Sequence, residues 1–159
     1  MILSTIASRR ALLARARSVA LVGVSDNPVR PSYLVFRYLR AKGRVVLAPI
    51  NPKLAAIDGV PAYPTLTAHA AAQGPPDIVV VFRRPALAPE VTREAIAVGA
   101  RAIWFQYGVV NDAAIALADN AGLEVVVDRC IKVESARFDG GLAIGGLNSG
   151  LITSRRRPA

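Results

Sequence analysis

Residues 19–33, with the sequence VALVGVSDNPVRPSY, combine three local patterns that together restrict the fold of the whole chain. The first four residues form an apolar run with no polar face, which is typical of a strand buried on both sides. Gly23 follows, and a residue without a Cβ lets the backbone turn tightly or approach a ligand. After a polar loop that contains Arg30 and Ser32, apolar residues return at helical spacing from Tyr33. Strand, glycine turn and helix in this order predict the βα unit on which α/β proteins build phosphate sites.

The alternation of apolar runs and helical patterns continues as far as residue 127. Further strands are predicted at 44–48, 77–82, 101–105 and 123–127, and helices at 33–41, 65–72, 86–98 and 111–121. Because the strands are apolar throughout, both faces of the sheet must be covered. We therefore predict an α/β fold, a Rossmann-like doubly wound parallel sheet in a single domain over 18–137, with right-handed crossovers.

The two ends of the chain are predicted to lie outside this sheet. An amphipathic helix over 1–17 is expected to pack on the domain, with its buried side drawn from Ile2, Ile6, Leu12, Leu13 and Ala16. Residues 138–159 are rich in glycine and end in basic residues, so they are expected to form a tail on the surface or on a partner subunit.

The charge balance points to an anionic partner. The 159 residues carry 20 Lys and Arg against 11 Asp and Glu, a formal net charge of +9, although much of the excess lies in arginines near the two ends. This excess fits nucleic acid, a phosphorylated small molecule or a membrane surface. The basic stretches lack interleaved aromatic residues, and no apolar run of about 18 residues occurs, so we expect no nucleic acid and no membrane as partner. One cysteine, Cys130, excludes an internal disulfide and fits a cytoplasmic protein, which we expect to be a monomer or weak homodimer.

Polar side chains follow each predicted strand, and the carboxyl ends of parallel strands meet at one edge of a sheet. After the five strands in turn come the segments 23–32, 49–53, 83–85, 106–108 and 128–132. The prolines Pro49 and Pro52 are expected to end the second strand. The edge carries several cations and almost no acids, which favours an anionic ligand with more than one negative group.

Two differences from the usual sequence pattern weaken the prediction of a dinucleotide-binding site. The first loop begins Gly23-Val-Ser25 and lacks the G-x-G-x-x-G pattern. The second strand is followed by Asn51 and Lys53 where an acid normally binds the ribose 2′-hydroxyl of NAD. Lys53 is instead suited to a ribose phosphate, which NADP and coenzyme A (CoA) both present.

Five motifs in a fixed order resemble one family. They are GVSDNPVRPSY at 23–33, PINP at 49–52, VFRRP at 81–85, WFQYGVVN at 104–111 and DRCIK at 128–132. Together they are similar to the CoA-binding domain proteins, small bacterial single-domain relatives of the nucleotide-binding domain of the succinyl-CoA synthetase α subunit. The resemblance covers about residues 5–155. It implies a Rossmann-like fold that binds CoA or an acyl-CoA.

The resemblance also implies which residues bind this cofactor. The first loop and its helix would hold the pyrophosphate, the segment around Asn51 and Lys53 would border the adenosine, and Phe82 with Arg83 would line the path of the adenine or the pantetheine. The predicted cofactor-binding residues are Gly23, Val24, Ser25, Pro28, Arg30, Ser32, Tyr33, Pro49, Asn51, Pro52, Lys53, Phe82, Arg83, Pro85, Gln106, Gly108 and Cys130.

No convincing catalytic constellation accompanies these residues. The synthetase relatives use a phosphorylated histidine, but the sole histidine here, His69, lies in a weak predicted helix far from any strand end, and we expect it to be solvated or packed. One His and one Cys provide no recognisable set of metal ligands. We therefore predict non-catalytic binding of CoA or an acyl-CoA, with an NADP-type nucleotide-binding oxidoreductase as the alternative.

Cys130 follows the last strand on the predicted ligand edge. One hypothesis is a mixed disulfide with CoA, which assumes an extended segment that places Lys132 on the same side as Cys130, where it favours the thiolate. The alternative is an inert, partly buried thiol.

Overall fold

The computed structural model describes residues 1–139. The helices are α1 (Ile6–Arg15), α2 (Pro31–Lys42), α3 (Leu66–Gln73), α4 (Ala88–Ala97), α5 (Asp112–Asn120) and α6 (Ile131–Phe138). The strands are β1 (Ser18–Val22), β2 (Val46–Ile50), β3 (Ala56–Ile57), β4 (Val60–Pro61), β5 (Ile78–Val81), β6 (Ala102–Phe105) and β7 (Glu124–Val126). A short 3₁₀ turn, Pro85–Leu87, leads into α4. Among the described residues, no helix has the length and apolarity needed to cross a membrane.

Five strands form one parallel sheet in the order β2-β1-β5-β6-β7, and β3 and β4 form a separate antiparallel hairpin. The strand order reverses direction at β1, which pairs with β2 on one side and with β5 on the other. In open α/β sheets, ligands bind beyond the carboxyl ends of the strands at such a switch point. The loops after β1 and β5 therefore lie where a ligand is expected.

Alternate residues of each central strand point to opposite faces of the sheet, as the period of a strand requires. Ala20 and Val22 pack into one core cluster, and Val19 and Leu21 pack into the other. The first cluster includes buried residues of α3, α4 and α5, and the second includes residues of α1, α2 and α6. The prediction of a doubly wound, Rossmann-like α/β fold is confirmed.

The N-terminal segment differs from the predicted helix over 1–17. Helix α1 begins only at Ile6, with the Thr5 side chain accepting from the Ser8 N–H at 3.1 Å. Residues 1–3 instead extend the sheet beside β7, where the Leu3 N–H donates to the Val125 carbonyl at 2.8 Å. Ile2 is 49% exposed, so its assignment to the buried side was wrong. Of the other candidates, Leu12 and Ala16 are buried, and Ile6 and Leu13 are partly buried.

The second strand does not stop before Pro49. Strand β2 runs through Pro49 to Ile50, and Pro49 lies opposite Leu21 of β1. The Pro49 carbonyl accepts from the Tyr63 N–H at 2.9 Å, on the outer side of an edge strand. The N–H that proline lacks would lie on that same outer side, so no hydrogen bond between β2 and β1 is lost.

The segment after β7 is a helix rather than an extended piece. Cys130 is the N-cap of α6, and the Glu134 N–H donates to the Cys130 carbonyl at 3.0 Å. Lys132 therefore lies on a helical turn, and the assumption that an extended chain brings it to the side of Cys130 was wrong. Helix α6 also includes Phe138, which was assigned to the tail. The rest of the predicted tail, from residue 140 onward, lies outside the described residues.

Candidate functional site

Gly23 is the point where the loops after β1, β2 and β5 meet. Its N–H donates to the Ile50 carbonyl at 3.0 Å, and its φ is +84°. A Cβ on Gly23 would lie 2.8 Å from Cδ and 3.2 Å from Cγ of Arg83. The apolar stem of Arg83 therefore covers the turn; the backbone angle favours glycine, and the close approach of Arg83 leaves little room for a Cβ.

The loop between Gly23 and α2 is shaped by its own polar side chains. The Ser25 N–H donates to Ser32 Oγ at 3.0 Å, and the Asn27 N–H donates to Ser25 Oγ at 3.0 Å. Asn27 Oδ1 accepts from the Val29 N–H at 3.1 Å. The loop ends at Arg30, the N-cap of α2, where no side chain caps the helix and Pro31 occupies the first turn. This geometry presents an uncapped helix start, with its partial positive charge, beside an exposed arginine.

The loop after β2 is tied to the first loop through Asn51. Its Nδ2 donates to the Val24 carbonyl at 2.9 Å, and its Oδ1 accepts from the Lys53 N–H at 2.9 Å. Asn51 therefore uses its amide to hold two loops together, while Lys53 is exposed. Tyr33 is also occupied by a structural contact, since its hydroxyl donates to Asp58 Oδ2 at 3.0 Å.

The ends of β6 and β7 are joined by backbone and side-chain hydrogen bonds. Trp104 Nε1 donates to the Arg129 carbonyl at 2.7 Å, and the Gly108 N–H donates to Asp128 Oδ1 at 3.0 Å. Asp128 is buried and has a φ of +55°. These contacts fix the path of the chain into α6 and place Cys130 beside the loop that begins at Gln106.

A pocket of about 480 Å³ lies along this edge of the sheet. Seven of the predicted cofactor-binding residues line it: Gly23, Ser25, Arg30, Ser32, Phe82, Gln106 and Cys130. The described residues that line it include one arginine and no carboxylate. Its wall is completed by four residues that were not predicted, Pro31, Val35, Tyr107 and Val109. Pro31, Tyr107 and Val109 lie inside the motifs at 23–33 and 104–111, and Val35 lies two residues after the first of these motifs.

A second pocket of about 250 Å³ lies on the other side of Gly23. The predicted residues Gly23, Pro52 and Arg83 line it, together with Glu90 and Glu94 of α4. Because two glutamates line this pocket together with Arg83, it is less suited to a phosphate than the first one.

The remaining predicted residues line neither of these two pockets. They are Val24, Pro28, Tyr33, Pro49, Asn51, Lys53, Pro85 and Gly108. Val24 is fully buried in the core, and Pro85 accepts from Asn111 Nδ2 through its carbonyl at 3.1 Å. Several of these residues therefore stabilise the loops without lining a pocket, while Pro28 and Lys53 are exposed.

His69 is packed rather than solvated. It is 4% exposed and makes an edge contact with the Tyr63 ring, with ring centroids 5.0 Å apart. It lines neither pocket. Burial lowers the pKa of His69 from its ordinary value of 6.5, because a charged imidazole would lose its hydration there.

This burial predicts a pH-dependent stability. A base whose pKa is lowered by folding binds more protons when unfolded, so its stabilising contribution is present above the ordinary pKa and is lost as the pH falls through it. We expect the free energy of unfolding to decrease between about pH 7 and pH 5, by at most about 1.4 kcal/mol per pH unit.

Urea unfolding of the wild-type protein and of His69→Phe across this range tests the prediction, and the variant is expected to show the weaker pH dependence. The titration of Asp77 does not interfere with this measurement. Although burial raises its pKa, hydrogen bonds from the Arg17 and Ser18 backbone and the Arg101 charge outweigh burial and bring it below 3.8. An equal pH dependence in both proteins would contradict the assignment to His69.

Comparisons with known proteins identify relatives of this chain. A family model for the CoA binding domain matches residues 17–136. The uncharacterized protein YneT of Bacillus subtilis (strain 168) is 37% identical over 125 residues, which cover 79% of this chain and 90% of YneT. A solved structure of a hypothetical protein from Pyrococcus horikoshii OT3 is 35% identical with a TM-score of 0.79, and the match covers 86% of this chain and 93% of that chain.

A second solved structure, cell-free ID.343 from Thermus thermophilus, is 31% identical with a TM-score of 0.76 and is covered over 98% of its length, against 84% of this chain. The residues matched by the family model include the sheet and the loops that form both pockets. The chain belongs to the CoA binding domain family.

Proposed function

We propose that this protein binds CoA or an acyl-CoA non-catalytically at the carboxyl edge of its parallel sheet. The observation that carries the proposal is the composition of the larger pocket. Arg30 and the uncapped start of α2 line this pocket, and Phe82, Val109 and Tyr107 provide apolar surface in the same lining. A ligand with an anionic head and a long, mostly apolar arm matches this arrangement.

The two pockets suggest how such a ligand is oriented. A pyrophosphate is best stabilised beside Arg30, because a guanidinium forms two parallel hydrogen bonds to phosphate oxygens. The pocket beyond Gly23, with Glu90 and Glu94, suits a neutral nucleoside better than a phosphate. Lys53 is exposed near that side and is available for a ribose phosphate.

The proposal includes no chemical step. His69 is buried and lines neither pocket, so it is badly placed to carry a phosphoryl group as in the succinyl-CoA synthetase relatives. Among the described residues, no cluster of three or more His, Cys, Asp and Glu is arranged to hold a metal ion. We propose a cytoplasmic, small-molecule binding protein, and the free thiol of Cys130 is compatible with a reducing compartment.

Calorimetric titration of the purified protein with CoA, acetyl-CoA, NADPH and NAD tests the proposal. We expect CoA to bind and NAD to give no measurable heat at the same concentrations, because Asn51 and Lys53 replace the acid that NAD sites use after the second strand. Comparable binding of NAD and CoA would refute the interpretation of this strand end. Tighter binding of NADPH than of CoA would favour the NADP-type alternative.

A further inference from the structure

Gln106 has an unsatisfied hydrogen-bonding group at the wall of the larger pocket. It follows β6, is 5% exposed, and lines the pocket. Its Nε2 has no hydrogen-bond partner within the part of the chain that the structure describes. A buried amide N–H₂ without a partner is unfavourable, so a native protein retains it where something else satisfies it.

The chemistry of a carboxamide narrows what that partner is. Gln106 offers two donors on Nε2 and an acceptor on Oε1, which is the pattern that pairs with another amide. It carries no charge and is therefore a poor partner for a phosphate compared with Arg30 in the same pocket. Phe82 and Val109 also line this pocket, which suits a linker that is apolar between its polar groups.

The spacing of the strands places Gln106 at a defined distance from the anion end. Neighbouring strands lie about 4.8 Å apart, so the end of β6 is about 10 Å from the end of β1, and the end of β7 is about 14 Å from it. An extended pantetheine arm carries its first amide carbonyl about 6 Å from the pyrophosphate and its second about 11 Å from it. Its sulfur lies about 16 Å away.

We propose that Gln106 binds the second amide of the pantetheine arm, the one nearer the sulfur, and so directs the arm across the ends of β5, β6 and β7. This inference rests on the proposed function and specifies how the same pocket distinguishes CoA from other adenine nucleotides. The sulfur end then lies beside Tyr107 and beside Cys130, which is the N-cap of α6. The site requires the arm for full affinity, and the nucleotide alone leaves Gln106 unsatisfied.

Calorimetry with CoA and with 3′-phosphoadenosine 5′-diphosphate, which has the nucleotide and pyrophosphate but no arm, tests this inference. We expect Gln106→Leu to weaken CoA binding about tenfold, the effect of losing a hydrogen bond to a buried group, and to leave the affinity for the armless nucleotide unchanged. Gln106→Glu keeps the size of the side chain but cannot donate when ionised, so it should also lose CoA affinity selectively. The matched control is Gln73→Leu, an exposed glutamine at the end of α3 that lines neither pocket.

A second measurement uses the wild-type protein and does not depend on the folding of a variant. The side-chain NH₂ resonances of Gln106 should shift when CoA is added and should stay in place when the armless nucleotide is added. Equal loss of both affinities in Gln106→Leu, or no loss of either, would overturn the role of Gln106 while leaving CoA binding intact. If the wild-type protein binds neither ligand, the proposed function itself fails.

Discussion

Replacing Glu134 by alanine is expected to lower the free energy of unfolding by about 3–5 kcal/mol, the usual cost of removing one member of a buried ion pair. Glu134 is fully buried on α6, and its carboxylate accepts from Arg9 Nε at 2.9 Å and from Arg137 Nε at 3.3 Å. Arg9 and Arg137 are 2% and 1% exposed. Without this carboxylate, two buried guanidinium groups would repel each other at the contact between α1 and α6.

Urea unfolding followed by the fluorescence of Trp104, the single tryptophan, measures this loss. The control is Glu90→Ala, an exposed glutamate on α4, which should change the free energy of unfolding by no more than about 0.5 kcal/mol. Glu134→Gln keeps the shape and one acceptor, so its smaller loss remains measurable if the alanine variant does not fold. A loss in Glu134→Ala no larger than in the control would show that the ion pair contributes nothing.

The ion pair also affects the site, because the N-cap of α6 lines the larger pocket. Arg9 Nη1 donates to the Ser4 carbonyl at 2.8 Å, so the network extends from α6 through α1 to the N-terminal segment. Cys130, immediately before α6, lines the pocket. Fixing α6 against α1 therefore fixes the wall of the site that lies near the sulfur end of the proposed ligand.

The β1–α2 unit was predictable because its signals are local. An apolar run, a glycine and the return of apolar residues at helical spacing each restrict the backbone within a few residues. Gly23 has a φ of +84°, and α2 begins at Pro31, two residues before the predicted start at Tyr33. The order of the strands in the sheet was not predicted, although parallel strands connected by helices allow few arrangements.

Helix α6 was missed because the residues on its buried side include charged ones. Glu134 and Arg137 lie three positions apart and are buried together, so an analysis of apolar periodicity counts both as surface positions. The same reason explains why Arg9 was not placed on the buried side of α1. Buried charges become recognisable only when the partner from another helix is known, which here is 125 residues away in the sequence.

The sequence predicted which loops form the site, but it did not predict how their side chains are oriented. The sequence places Gln106 and Tyr33 near one edge of the sheet, but the direction of each side chain depends on distant partners. Tyr33 is drawn to Asp58, 25 residues away on the turn between β3 and β4, where Asp58 has a φ of +47°. Gln106 is turned to a buried position without a partner for its Nε2. Neither outcome has a local sequence signal.

Replacing Arg30 by alanine is expected to weaken CoA binding by about 1.5–3 kcal/mol, the range for a hydrogen bond to a charged group. Arg30 is exposed at the start of α2, lines the larger pocket, and is the one arginine among the described residues around it. Because no other cation there compensates, its loss should fall on the phosphate end of the ligand. The stability of the protein should change by no more than about 0.5 kcal/mol, since the side chain is not packed.

Calorimetry of Arg30→Ala, Arg30→Lys and Arg93→Ala separates the role of the guanidinium from the general effect of charge. Arg93 is an exposed arginine on α4 that lines neither pocket, so its removal should lower the net charge equally and leave CoA affinity nearly unchanged. Arg30→Lys keeps the charge but loses the planar pair of donors, and its affinity should fall between the wild type and the alanine variant.

The affinity of Arg30→Ala should also depend less on salt than that of the wild type, because one phosphate contact is gone. Equal effects of Arg30→Ala and Arg93→Ala would mean that only the overall charge attracts the ligand and that the pyrophosphate binds elsewhere.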